Sequence, residues 1–189
     1  PRIVYKKIPF CENFDNNPNL DHWRVVPARL DGDQKLIEGA NPFTVNVIAP
    51  IFGTGSNGWH LGKTQDPNGF CVNGIDLHLD CSNTGKVALS FDIFEAREEL
   101  QDEDGIWLSV NGGQTFTKIY DFNWAVIPDV QYTKLNIPIS DLAAAKGIQL
   151  SGQTIVRIQQ AGIGNYDSSW SGDPSDGVVI DNVCLSGTV

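Results

Sequence analysis

The sequence predicts an all-β protein, a two-sheet antiparallel β-sandwich, and three observations carry that prediction. Apolar and polar residues alternate along much of the 189-residue chain, the period of a strand with one face on a core. Gly and Pro contribute 19 and 10 residues, turn material for many short strands. Only Ser140 to Lys146 reads as helical.

The elements follow in order. Candidate strands run from Ile3 to Ile8, Trp23 to Leu30, Phe43 to Ile48 and Ile75 to Leu79. Lys86 to Phe94 is the clearest, with Val87, Leu89, Phe91 and Ile93 on one side and Ser90 and Asp92 on the other. Gly105 to Val110, Thr115 to Asp121, Tyr132 to Ile137, Ile155 to Gln160 and Val178 to Leu185 complete the set. In Ser140 to Lys146, Ser140 or Asp141 is the expected cap, three alanines follow, and Gly147 is the expected stop. About ten short strands with one helical turn fit a sandwich of jelly-roll type. No linker or internal repeat divides the chain, so residues 1–189 are read as a single domain. The longest irregular stretches are Gly53 to Gly69 and Ala161 to Gly177.

Charge and composition exclude several function classes. Acids outnumber bases 23 to 13, for a net charge of −10, so nucleic acid is not the expected partner. No apolar run approaches the roughly 20 residues a bilayer requires, which predicts no membrane insertion. Hydrophobic residues make up 41%, enough for a core.

Four cysteines, Cys11, Cys71, Cys81 and Cys184, lack the CxxC spacing of zinc or thioredoxin sites. Two disulfides in an oxidising compartment are expected, with buried thiols as the alternative. Of three possible connectivities, Cys11–Cys184, joining the chain ends, and Cys71–Cys81, closing a short loop, are favoured. The opening has neither an initiator Met nor a signal-peptide pattern, as expected of a mature secreted protein or a fragment of a longer one.

Ser109-Val110-Asn111-Gly112-Gly113-Gln114-Thr115-Phe116 predicts a hairpin, because Asn and Gly tolerate the positive φ of tight turns. Its spacing resembles an Asp-box, a Ser-x-Asp-x-Gly-x-Thr-Trp hairpin, with Asn in place of Asp and Phe in place of Trp. The role implied is structural.

Three segments in order carry a wider resemblance. Glu12-Asn13-Phe14-Asp15 followed by Trp23 is similar to the opening of secreted MAM-like and Reelin-repeat-like jelly rolls. Asp104 to Val110, running into the Asn-Gly-Gly turn, resembles their central strand pair. Asp176 to Val183 resembles their closing strand, with Asn182 where an acid is usual. Bacterial cleaved-adhesin domains share this layout. The resemblance implies a structural Ca²⁺ beneath the paired terminal strands, with Glu12, Asp15, Asp31, Asp33 and Asp181 as oxygen ligands beside Cys11 and Cys184. The acidic run Glu95 to Asp104 is read as a solvated loop, with a second cation site as the sharper alternative.

Catalytic patterns are thin. Gly53 to Gly58 fits GxGxxG, but Trp59-His60-Leu61-Gly62 is a poor helix start. His22, His60 and His78 are scattered, with neither HExxH nor GxSxG. No carboxylate pair announces a glycosidase.

A binding face is better supported. Ile106, Leu108 and Val110 claim the core and turn Trp107 outward, and alternation turns Asp92, Tyr132, Lys134, Asn136, Arg157 and Gln159 outward too. An aromatic ring beside amide, carboxylate and guanidinium groups suits a sugar, or an acidic group at Arg157. Trp59, Trp124 and Trp170 sit in or beside loops, as rim residues or as plugs of the sandwich ends. The expected function is a non-catalytic extracellular module that binds a glycan or surface protein within a larger secreted protein. A structural or protein-adhesion domain and a small glycan hydrolase or lyase are the alternatives.

Overall fold

A computed structural model describes residues 3–14, 20–30, 36–37, 41–43, 58–61, 70–95, 100–128, 131–163 and 178–188. In chain order its elements are β1 (Lys6–Lys7), β2 (Phe10–Glu12), β3 (Trp23–Leu30), β4 (Leu36–Ile37), β5 (Asn41–Phe43), β6 (Gly58–Leu61) and β7 (Phe70–Asp80). There follow β8 (Val87–Glu95), β9 (Gly105–Ser109), β10 (Thr117–Tyr120), β11 (Tyr132–Ile137), α1 (Ile139–Ala145), β12 (Thr154–Ile163) and β13 (Val178–Gly187).

The strands form the predicted sandwich. A seven-stranded sheet has the order β10-β9-β12-β7-β3-β4, with β1 added in parallel to the end of β7. A six-stranded sheet has the order β11-β8-β13-β6-β5, with β2 also on β13. Ile75, Leu77 and Leu79 from β7 and Ile106 and Leu108 from β9 meet Val87, Leu89, Phe91 and Ile93 from β8 in one core. Burial of these side chains is the main stabilising term, about 1.5–3 kcal/mol for each large aliphatic or aromatic group.

Long β13 ties the chain ends together. Its first half pairs with β6 and its second half with β2, while β8 lies along its other edge. The change of partner coincides with a bulge between Asp181 and Cys184, where Asn182 has φ 50°. Cys11 and Cys184 are direct cross-strand partners, joined by the expected disulfide.

The second expected disulfide is absent. Cys81 is a buried free thiol, and burial pushes its pKa up to about 11. Cys71 lies near the start of β7 and Cys81 just beyond its end. Ten residues of extended strand separate them by about 33 Å, far beyond the reach of a disulfide. Proximity in sequence gives no proximity in space once the intervening chain is a strand.

Other expectations shift locally. Gly58–Leu61 is strand β6, not irregular chain, and Trp59 is 2% exposed, packed on Phe14 and near Trp23. The glycine pattern that ends at Gly58 therefore leads into a strand, not a helix. Helix α1 starts at Ile139, after Pro138 at the N-cap. Ser140 is not the cap: its hydroxyl accepts the Val87 N–H at 2.7 Å and donates to the Gly85 carbonyl. Gly147 does stop the helix, at φ 69°. Its N–H bonds Ala144 O and the Ile148 N–H bonds Ala143 O, closing the last turn. Among the described residues no helix is long and apolar enough to cross a membrane.

Candidate functional site

The two ends of the acidic run are not solvated. Glu95 and Asp104 are each 1% exposed. Asp104 accepts hydrogen bonds from the N–H groups of Gln101, Ala161 and the Trp124 indole. Burial outweighs these bonds and raises its pKa to about 6. The neighbouring Glu103 carbonyl accepts both Trp107 Nε1–H at 3.0 Å and Gln159 Nε2–H at 2.8 Å. The segment thus acts as a strap that fixes two of the predicted site residues.

Alternation turns Trp107 and Arg157 outward, and strand register makes them neighbours. They are direct cross-strand partners on β9 and β12. Arg157 in turn faces Asp76 on β7, and Asp76 faces Arg24 on β3. On the other side Trp107 faces Lys118 of β10. Lys118-Trp107-Arg157-Asp76-Arg24 is therefore one row across five strands on the outer face of the seven-stranded sheet. At the usual strand spacing it is about 19 Å long.

Arg157 is clamped within this row. Its Nε and one Nη donate to the two Asp76 oxygens at 2.6 and 2.9 Å, and its guanidinium lies 3.9 Å from the centre of the Phe116 ring. Lys118 sits 5.9 Å from the Trp107 ring and reaches the Asp102 carbonyl and the Asp121 carboxylate. The row beside it holds Ser109, Ile155 and His78. Tyr5 lies edge-on against His78, and burial lowers the pKa of that imidazole and of adjacent His22.

The remaining predicted face residues lie on the opposite side of the molecule. Asp92, Tyr132, Lys134 and Asn136 belong to β8 and β11, on the outer face of the six-stranded sheet. There Asp92 accepts from Asn182 Nδ2 at 2.9 Å and lies 3.9 Å from Lys134, and Tyr132 packs against Phe94. The single face expected from alternation is thus two faces. Trp107, Arg157 and Gln159 are brought together; Asp92, Tyr132 and Asn136 are not with them. Trp59 belongs to the core, and Trp170 lies outside the described residues.

Sequence reasoning missed Asp76, Phe116 and Arg24. Asp76 had a signal, since Ile75, Leu77 and Leu79 leave it outward. Its meeting with Arg157, 81 residues away, depends on register, which alternation does not set.

Of the expected calcium ligands, Glu12 and Asp181 lie on paired strands, with Glu12 opposite Val183. Glu12 accepts the Phe14 N–H and buried Asp181 the Asn182 N–H. Asp15, Asp31 and Asp33 lie outside the described residues. Among the described residues no three His, Cys, Asp or Glu side chains form a metal-sized group.

No protein-family model and no curated protein matches this chain. Among solved structures, the K1 cleaved adhesin domain of Lys-gingipain from Porphyromonas gingivalis W83 is similar at TM-score 0.54 and 15% identity, covering 96% of this chain and 99% of that one. The two share a fold, and the expected likeness to cleaved-adhesin domains has its counterpart there. A family 11 carbohydrate-binding module from Clostridium thermocellum, in complex with a β-1,3-1,4-mixed-linked tetrasaccharide, matches at TM-score 0.48 and 16% identity over 94% of each chain.

Proposed function

We propose that this chain is a non-catalytic extracellular module that binds a glycan or other surface ligand through the outer face of the seven-stranded sheet. The observation that carries this reading is the cross-strand pair of Trp107 and Arg157, an outward aromatic beside a clamped guanidinium. A ring held by its own N–H offers a flat apolar surface to sugar C–H groups, while the guanidinium bonds oxygen. The fold shared with a cleaved adhesin domain supports a binding role. The Cys11–Cys184 disulfide supports a secreted setting, and the module serves as an accessory domain of a larger secreted protein. Among the described residues no catalytic step is assigned: Asp181 and Asp92, directly opposed across β13 and β8, are occupied by Asn182 and Lys134, and Asp181 is buried.

Affinity gels and a glycan array test the reading. Trp107→Ala is expected to abolish retention while the circular dichroism of the fold is kept. Retention unchanged by that substitution removes this face as the site. A second reading, adhesion to a protein partner through the same face, draws on the adhesin-domain likeness. It predicts self-association or partner capture with no glycan retention.

Structural calcium belongs to the same proposal. Glu12 and Asp181 are hard carboxylate donors on paired strands, and they would supply two of the six to eight oxygens the ion takes. An ion bound by the native state alone raises the melting temperature. A melting temperature unmoved by chelator rejects it.

A further inference from the structure

We propose that residues 3–10 form an acid-released strap: protonation of His22 and His78 beneath it lifts the segment off the seven-stranded sheet, while the Cys11–Cys184 bond keeps it tethered. The strap is lightly held. β1 pairs Lys6 with Leu79 and Lys7 with Asp80, along the end of β7 that β3 leaves open after the Trp23–Leu77 pair. The Val4 N–H approaches the Asp21 carbonyl at 3.4 Å, and Ile3 and Val4 are exposed. Aromatic cover closes it. Tyr5 lies edge-on to His78 with ring centres 5.4 Å apart, and Phe10 edge-on to His22 at 5.1 Å. Under that cover His22 and His78 are 2% and 4% exposed.

The two histidines form one cluster that suits neutral rings. The His22 carbonyl accepts the His78 N–H at 2.9 Å and lies 3.3 Å from His78 Nδ1. Among the described residues His22 Nε2 has no hydrogen-bond partner. An imidazolium carries an N–H on both nitrogens, so protonating His22 in place would leave a buried charged donor unmet. Burial is the largest cause that holds both imidazoles neutral. At His22 the charges of Lys6 on β1 and Arg24 on β3 act with it, a charged His78 adds to them, and Asp21 opposes. At His78 Asp76 opposes and Arg24 assists. Asp76 is already shared with Arg157. Lys7 and Asp80 attract each other across the β1–β7 pair, and bonds from Ser82 lower the Asp80 pKa, so this attraction does not open the strap in mild acid.

Lifting residues 3–10 removes both aromatic covers and returns the imidazoles to water. The closed form holds the His22 pKa at about 4, against 6.5 for a free imidazole. As pH falls through 6.5 the open form therefore takes up protons that the closed form refuses, and opening gains. Between pH 7 and pH 5 the His22 difference alone multiplies the opening equilibrium about 20-fold. His78 acts in the same direction. Cys11 sets the limit of the motion, because beyond it Glu12 stays paired with Val183 of β13. The segment swings on a covalent tether and the sandwich stays folded.

The test is amide hydrogen exchange of the full chain, disulfide intact, followed by NMR at pH 7 and pH 5 and corrected for the intrinsic exchange rate. Opening at the Tyr5–Ile8 amides is expected to rise about 20-fold or more, while Ile75–Leu77 and Val156–Ile158 keep their protection. His22→Phe keeps a ring under Phe10 that cannot charge, and it is expected to lose most of the acid response. Adding His78→Gln should remove the rest. If these variants fail to fold, the wild-type imidazole titrations decide: both should lie below 6.5, with His78 rising in Tyr5→Ala. Strap amides indifferent to pH overturn the proposal, as do imidazoles that titrate near 6.5 in the closed form. An equal rise in the β7–β12 amides also overturns it, because the whole sandwich then opens and not the strap. So does an acid response that survives in the double variant.

Discussion

The Asp104 carboxylate accepts the Trp124 indole N–H at 2.8 Å, joining the acidic segment before β9 to an aromatic side chain in the core. Through Gln101 and Ala161 the same carboxylate closes its own loop and fixes the end of β12. The neighbouring carbonyl then holds Trp107 and Gln159. A buried acid therefore supports the shape of the candidate binding face.

That acid makes stability fall as pH rises. Its folded pKa is about 6, above its ordinary 3.8, because burial disfavours the charge. Between those values the unfolded chain has released the proton while the folded chain keeps it. The stability lost across this window is roughly 3 kcal/mol, at 1.36 kcal/mol per pKa unit. Asp104→Asn cannot ionise, so its stability relative to wild type should rise by about that amount from pH 4 to pH 7. Urea titrations at both pH values measure it, and a difference independent of pH would falsify the assignment.

His22 acts in the opposite direction. It is 2% exposed, edge-on to Phe10, and among the described residues its Nε2 has no hydrogen-bond partner. Burial is the largest cause that lowers its pKa to about 4, with Lys6, His78 and Arg24 adding to it and Asp21 opposing. As pH falls from 6.5 to 4 the unfolded chain takes up a proton that the folded chain refuses, and stability is lost by roughly 3 kcal/mol. The lowered pKa of His78 adds in the same direction. His22→Phe should therefore gain on wild type as the solution is acidified through that window. In wild type the two groups oppose each other between pH 4 and 6, so the single variants are what reveal them. Unfolding free energies that change in parallel for wild type and His22→Phe would exclude this role.

Much of the sandwich is legible in the sequence because a period of two is a local property. Trp23–Leu30 and Tyr132–Ile137 are strands with the bounds that alternation gives. Alternation also says that Asp92 and Trp107 leave the core, but a sandwich has two outer faces, and nothing local says which sheet a strand joins. That is why Asp92 and Tyr132 separate from Trp107, and why the Asp76–Arg157 clamp is invisible before register is known. Trp59 misleads for a related reason. Its glycine-rich approach looks like loop, yet β6 is a four-residue strand that puts that indole and Leu61 into the core.

The Asn111 hairpin offers a local test. Asn111 Oδ1 accepts from Ser109 Oγ and the Thr115 N–H, and Nδ2 donates to Thr115 Oγ1. Ser109 Oγ also accepts the Gly113 N–H, with Gly112 and Gly113 at φ 68° and 90°. Asn111→Ala removes three of these bonds in a partly exposed turn, for an expected cost of about 1–2 kcal/mol. In a chain of this size that lowers the melting temperature by roughly 2–8 °C. Asn111→Asp keeps the acceptor that organises the turn and should lie close to wild type. Equal melting temperatures for the Ala and Asp variants would show that the glycines alone make the hairpin.

The disulfide gives the largest expected effect on stability. Cys11 and Cys184 are 173 residues apart in sequence, so the bond closes nearly the whole chain. Chain entropy assigns a loop of that size up to about 5 kcal/mol, a large share of the 5–15 kcal/mol typical of a folded domain. The bond also holds β2 on β13, next to the Asp181–Asn182 bulge where β6 takes over as partner. Replacing both cysteines with Ala should lower the urea midpoint strongly. It should also raise amide exchange at Phe10–Glu12 and Val183–Leu185 before the β7–β12 pair opens. Cys81 serves as an internal reporter, since its buried thiol should react with a disulfide reagent only upon unfolding. An unchanged midpoint in the double variant would mean that β2 holds to β13 by packing and backbone bonds alone.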